Sequence, residues 1–326
     1  MKIPGFVDLQ VNGLLEIDFS AADLTEEKFI FACEKLLAMG TAAFLPTVIT
    51  SSPEVYEKNI PLIVKTMRRP EFMGRILGIH LEGPFISSEP GAVGAHNPQY
   101  VKKPDVEFLR QLVKLAEGNI KLLTIAAESE GAEELTQAAV KKGITVSLGH
   151  QMAQGKELSA LAAAGAKTLT HLGNGMPNMV HRHNNTIWSA LAEDRLSAMI
   201  ITDGHHLPPA LIKTIIKVKG VHNVIITSDA SALAGCPPGR YNSMGNSVVI
   251  EESGLLHNPE KGCMVGSSAT IFKCANYVAS LNIVKPEDIA QMAFYNPLRL
   301  ISIPVDFVKS KGNVEYDAQA SQFKIC

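Results

Sequence analysis

Eight short apolar runs alternate with helical stretches along this chain, and that alternation restricts it to very few folds. The runs are GFVDL (5–9), TAAFLPTVI (41–49), RILGIHLE (75–82), IKLLTIAA (120–127), ITVSLGH (144–150), KTLTHL (167–172), LSAMIITD (196–203) and NVIITSD (223–229). Helical patterns over 53–69, 104–117, 131–142, 154–164 and 208–219 separate most of them. Strand and helix in strict succession read as βα units around a parallel sheet. Eight parallel strands most simply close, so the expected fold is α/β, a (β/α)8 TIM-type barrel. The alternative is an open doubly wound sheet, but no GxGxxG follows the first strand. A barrel needs about 250 residues and tolerates additions. The 326 residues are therefore expected to form a single barrel domain, 1–326.

After Asp229 the pattern changes. Residues 235–265 are rich in Gly, Pro and Asn and are expected to form a long loop or hairpin over one rim. Helices are expected around 267–280 and 286–293. The tail beyond about 303 reads as irregular chain or short strands.

Composition excludes several classes of function. A net charge of −2 offers no electrostatic grip on nucleic acid or an anionic membrane. No apolar run approaches the roughly 20 residues of a membrane-spanning helix. MKIPGFVDLQ has neither an apolar leader core nor a cleavage site. The five cysteines, Cys33, Cys236, Cys263, Cys274 and Cys326, contain no CxxC pair. Cys33 and Cys274 fall in helical patterns and are expected to be small core residues. A reducing cytoplasm is the expected setting.

The chemistry sits where the strands end. Glu82, His150, His171, His206 and Asp229 close separate apolar runs, in HLEGPF, SLGH, THLGNGMP, ITDGHH and ITSDA. A barrel brings its C-terminal strand ends to one rim, where active sites are built. Glu82, His150 and His171 supply the three His and carboxylate ligands of a catalytic zinc site. Such a centre makes a nucleophile from water near neutral pH. Zn2+ suits these ligands first, and Fe2+, Mn2+ or Co2+ suit them too. Asp229 is the candidate general base, its bland alternative being a turn or cap residue. His206 is placed to polarise a carbonyl or to hold substrate. Gln10 and Asn12, two residues apart on the first strand, face one side. Neutral amides ligate zinc poorly, so one metal is expected and not two. His80 shares a face with Glu82 and is expected beneath the metal. His205 reads as structural, and His222 and His257 as exposed loop residues.

At these motifs the chain resembles the N-acetylglucosamine-6-phosphate deacetylase family of the amidohydrolase superfamily. The matching segments are PGFVDLQVNG, HLEGPFIS, GAHNP, SLGH, THLGNGMP, ITDGHH, SDA with GRY, VGSS and the NP at 296–297, spanning about residues 4 to 300. The resemblance implies hydrolysis of the acetamide of an amino-sugar phosphate, with release of acetate. It implies Glu82, His150 and His171 as metal ligands, Asp229 as the catalytic aspartate and His206 as the carbonyl contact. It implies substrate contacts at Ala95, His96, Asn174, Gly175 and the segment Met264, Val265 and Gly266. Gln10 and Asn12 match members that hold a single metal and lack the HxH pair. Arg182 stands where the family's arginine reaches the phosphate in a neighbouring subunit, which implies a homodimer. A guanidinium suits phosphate because its donors form a fixed fork.

Three departures from the family pattern shape the expectations. The family reads GREPG around that arginine, and this chain reads HRHNN. The barrel motif PGF begins at residue 4, and no GKDADLV-like segment occurs in the tail, so the small flanking β domain is expected to be absent or reduced. TIAAE stands where the family favours TIAPE. An N-acetylgalactosamine phosphate, an unphosphorylated sugar or another N-acyl compound is the alternative substrate. A non-catalytic sugar-binding relative is the alternative from another class.

Overall fold

The computed structural model describes residues 1–243, 246–260 and 262–326. Its centre is an eight-stranded sheet of parallel neighbours. In chain order the barrel strands are Phe6–Val11, Thr41–Ile49, Ile79–Glu82, Ile120–Ile125, Thr145–Leu148, Thr168–Leu169, Ser197–Ile201 and Val224–Thr227. Each pairs with the next, and the first meets the eighth. Val11 and Ala230 form a parallel bridge, and the Asn12 N–H donates to the Ala230 carbonyl at 2.7 Å. The sheet is thus a barrel, and the open-sheet alternative falls away. The strands are buried on both faces, which explains why they read as continuous apolar runs without alternation.

The five helices expected between the strands form within a residue or two of the sequence bounds, whereas the one expected at 267–280 begins only at Ile271 and the one expected at 286–293 is α-helical over Pro286–Ala290. The five are Pro53–Met67, Val106–Leu115, Ala132–Lys141, Gly155–Ala164 and Pro209–Lys219, joined by Glu26–Ala38, Thr186–Ala192 and Ile271–Ser280. Local chemistry sets their starts. Asp105 accepts from the Glu107 and Phe108 N–H groups, and Thr25 accepts from that of Lys28. Cys33 and Cys274 are buried, as expected.

A buried carboxylate clasps the barrel seam. Asp8, on the first strand, accepts from Thr227 Oγ1 at 2.8 Å, from the Ser228 N–H at 3.1 Å and from the Ser228 hydroxyl. Burial pushes the Asp8 carboxyl up, and these donors oppose it. Asp8→Ala leaves them unpaired in a dry interior. We expect a loss of about 3 kcal/mol, read as a lower Tm.

Two peripheral sheets complete the molecule. Residues 235–265 were expected as a loop or hairpin; the described part forms a four-stranded antiparallel meander, Gly239–Ser243, Asn246–Ile250, Leu256–Asn258 and Cys263–Met264. Residues 244, 245 and 261 of that segment lie outside the described residues. Leu233, Val248, Ile250, Leu256 and Val265 give the meander its own small core. His257 therefore sits in a strand, half-buried and bonded to Glu251 at 2.8 Å, and is not an exposed loop residue. His222 is exposed, as expected. The tail strands Val314–Asp317 and Gln322–Ile325 pair with Lys2–Ile3 in a three-stranded sheet. Among the described residues, no helix is long and apolar enough to cross a membrane.

Candidate active site

The strand-end residues converge as the barrel requires. One oxygen of Glu82 lies 3.0 Å from His171 Nε2 and 3.3 Å from His150 Nε2, and the two ring nitrogens are 3.0 Å apart. All three side chains are buried. His150, His171 and Asp229 leave their strands with φ of 51°, 28° and 50°. Left-handed backbone is uncommon for such residues and concentrates at functional sites. Here it turns three side chains off the strand direction and into one space.

The donors fit a divalent cation. His150 Nδ1 faces the Ala92 carbonyl at 2.8 Å, which places its hydrogen there and leaves a lone pair on Nε2. Burial opposes the charge on Glu82, but the His150 and His171 contacts outweigh it and hold the carboxyl well below the usual range. Two imidazoles and a carboxylate with ligand atoms within 4.8 Å of one another match a three-ligand catalytic metal site. Close approach is enforced from above. A Cβ on Gly175, at φ +61°, would stand 3.0 Å from atoms of both histidine rings.

Gln10 and Asn12 have a defined place. Gln10 Nε2 donates to Glu82 at 2.7 Å and to Asp229 Oδ1 at 3.0 Å, and Asn12 Nδ2 donates to the same Asp229 oxygen at 2.7 Å. Amide donors thus link the ligand carboxylate to the candidate base. Both of these donors fall on Oδ1, so Oδ2 is the oxygen left to carry a proton. Burial, then the Glu82 charge, pushes the Asp229 carboxyl up to about 6.

Beneath the metal set lies a polar belt. His80 bonds Thr47 at 3.2 Å and Thr124 at 2.8 Å, and burial lowers its pKa to about 4, leaving a neutral ring. That agrees with its expected position.

These groups face a cavity of about 500 Å³. Asn12, Ala95, His96, Asn174, Gly175, His206, Met264, Val265 and Gly266 line it, as do Glu82, His150, His171 and Asp229. Among the described residues, four of nine buried side-chain polar atoms without a protein partner belong to Asn12, His96, His171 and Asn174, which line this cavity. Unsatisfied polar atoms gathered at one cavity are what a ligand site looks like from the protein side.

Two features escaped the sequence reading. His96, expected with the sugar loop, stands edge-on against His150 with their Nε2 atoms 3.2 Å apart, and 3.8 Å from Glu82. Burial, then the His150 charge, lowers its pKa to about 3. Asp18, on a short hairpin after the first strand, also lines the cavity and was not singled out. Arg182 does not line the cavity of its own chain; it lies exposed on the segment before the Thr186–Ala192 helix. His205 is structural, as expected, and contacts the Ser253 carbonyl at 3.1 Å.

The sequence and the architecture have known counterparts. The chain is 31% identical to the N-acetylglucosamine-6-phosphate deacetylase of Homo sapiens, over 97% of this chain and 77% of that protein. The chain belongs to the N-acetylglucosamine-6-phosphate deacetylase family. The N-acetylgalactosamine-6-phosphate deacetylase of Escherichia coli O157:H7 is 26% identical, over 92% of this chain and 78% of that one. The N-acetyl-D-glucosamine-6-phosphate deacetylase of Mycobacterium smegmatis superposes with a TM-score of 0.88 at 26% identity, covering 100% of this chain and 85% of that one. A mutant of that enzyme is known in complex with N-acetyl-D-glucosamine-6-phosphate and superposes equally well. No family model matches the chain.

Proposed function

We propose that the chain is a metal-dependent amidohydrolase that removes the acetyl group from N-acetylglucosamine 6-phosphate, giving the amino-sugar phosphate and acetate. The observation that carries this reading is the convergence of Glu82, His150, His171, His206 and Asp229 on one cavity. A divalent cation held by Glu82, His150 and His171 supplies Lewis acidity toward water and the acyl oxygen. Asp229 accepts the proton of the attacking water and returns it to the nitrogen as the C–N bond breaks. His206 steadies the acyl oxygen as charge gathers on it. Asn174, with an unpaired buried amide, and Gly175 hold the sugar phosphate, and Ala95, His96 and Met264 to Gly266 line the rest of its bed. Amides at Gln10 and Asn12 support one ion, and His2Glu suits Zn2+, with Fe2+, Mn2+ or Co2+ as alternatives. A cytoplasmic setting fits five unpaired cysteines.

The phosphate raises a specific question. Among the described residues, no lysine or arginine lines the cavity, while Asp18, Glu82 and Asp229 do. We infer a homodimer in which Arg182 of a second copy reaches this cavity. The surface beside Arg182 supports it, since Met179, Val180 and Trp188 are 90%, 41% and 56% exposed. The same lack of cations favours a second reading, in which the substrate is unphosphorylated. Comparing N-acetylglucosamine 6-phosphate, N-acetylgalactosamine 6-phosphate and plain N-acetylglucosamine as substrates separates these. Preference for the first by kcat/KM supports the proposal; preference for the unphosphorylated sugar overturns it.

The pH profile has a defined sign. The working base is the Asp229 carboxylate, so activity persists above its pKa and is lost as pH falls through it. A cation beside Glu82 opposes the Glu82 contribution to the upward shift. The acid limb of kcat/KM is therefore expected at or below about pH 6. A limb well above that value would remove Asp229 from the role of base.

A further inference from the structure

We propose that Asp203 is a positioning residue for the reaction, setting the His206 ring and tying it through Ser267 to the turn that carries Asp229. The job assigned to His206 rests on the deacetylase reading; the geometry does not. Asp203 follows the seventh barrel strand, and its carboxylate accepts four hydrogen bonds. Oδ1 takes the backbone N–H groups of His205 and His206, each at 2.9 Å. Oδ2 takes His206 Nδ1 at 2.8 Å and Ser267 Oγ at 2.9 Å. The His206 and Asp203 side chains are 6% and 4% exposed. Burial opposes charge on Asp203, but the His206 ring and the backbone donors outweigh it and hold the carboxyl well below the ordinary range.

The two oxygens do different work. Oδ1 shapes the turn. Oδ2 commits the hydrogen on His206 Nδ1, fixes the ring plane and leaves Nε2 for the cavity that His206 lines. From that pose the ring donates to an acyl oxygen only through Nε2 and only when doubly protonated, and Asp203 balances the charge. Ser267 carries the second arm. Its hydroxyl donates to Asp203, and its N–H donates to the Asp229 carbonyl at 3.0 Å. One carboxylate therefore holds the acyl-contacting ring in register with the base.

Asp203→Asn separates the two oxygens. The amide keeps an acceptor for the backbone N–H groups and puts an N–H donor where Oδ2 was. The ring meets that donor only by moving its hydrogen from Nδ1 to Nε2. We expect turnover to fall about 100-fold with bound metal and Tm near wild type. The Asp203→Asn/His206→Asn double variant is expected to be no slower than His206→Asn alone, because Asp203 acts through the ring. Wild-type turnover in Asp203→Asn, or losses that multiply in the double variant, would overturn the proposal. Nitrogen NMR of the His206 ring judges it without turnover. A ring hydrogen on Nδ1 in wild type that shifts to Nε2 in the variant supports the proposal, and a hydrogen that stays on Nδ1 overturns it. Failure of the wild type to deacetylate any acetamido sugar would sink the functional reading alone. If Asp203→Asn does not fold, Ser267→Ala removes the hydroxyl donor to Oδ2, together with an acceptor of the Ala269 N–H, and spares the hydrogen bonds from the His205 and His206 backbone to Oδ1. Its expected loss is several-fold and non-additive with His206→Asn; an additive loss contradicts the proposal.

Discussion

Asp229→Asn is expected to keep its metal and lose turnover by roughly 1,000-fold, the scale of a missing general base. The substitution is close to isosteric. The amide oxygen can still accept from Gln10 Nε2 and Asn12 Nδ2, so the links to the first strand survive. What disappears is the oxygen able to take a proton. The expected signature is a low kcat with KM and metal content near wild type, read by steady-state kinetics alongside metal analysis. Turnover equal to wild type would remove Asp229 from the mechanism. Loss of metal in the variant would make its role structural.

His171→Asn is expected to have the opposite signature. His171 Nε2 lies 3.0 Å from both Glu82 and His150 Nε2, so removing it leaves two ligands and an unbalanced carboxylate. Bound metal is expected to fall to near zero after gel filtration. Turnover falls with it, by roughly 1,000-fold or more, since such an ion contributes several kcal/mol. Metal uptake in the wild type is expected to weaken as pH drops. Burial opposes charge on the His171 ring, but the Glu82 contact outweighs it and raises its pKa, so protons compete with metal for a ligand that must bind as neutral imidazole. A variant that retains one ion per chain would contradict the ligand set.

How much of this was legible from residues alone follows from where each residue sits. Glu82, His150, His171 and Asp229 each end an apolar run, and a barrel turns every such position toward one rim. Their convergence needed only strand order, which short connections supply. His96 and Asp18 come from a loop and a hairpin, where no periodicity reports direction. The sequence places His96 in the sugar-contacting loop, and its contact with His150 depends on how residues 83–101 fold back over the rim. Asp203 stands in the same ITDGHH motif as His206, and the motif by itself does not show that the two side chains meet. A strand-end aspartate three residues before a histidine could have been read as an Asx turn. The 235–265 segment reads as a loop or hairpin because its strands are short and interrupted by Gly, Pro and Asn. The short β-branched run Val248, Val249 and Ile250 is the available strand signal. Asp8 was hidden inside PGFVDL, since a carboxylate in an apolar strand reveals its partners only when the barrel closes.

The central claim is that one divalent ion, held by Glu82, His150 and His171, makes this cavity a deacetylase. The most direct measurement is acetate release from N-acetylglucosamine 6-phosphate against metal bound per chain, beginning with chelated protein and adding Zn2+. The account predicts no release without metal, then a rise in proportion to occupancy that levels at one ion per chain. Undiminished release from metal-free protein would contradict it, as would fully loaded protein that releases no acetate.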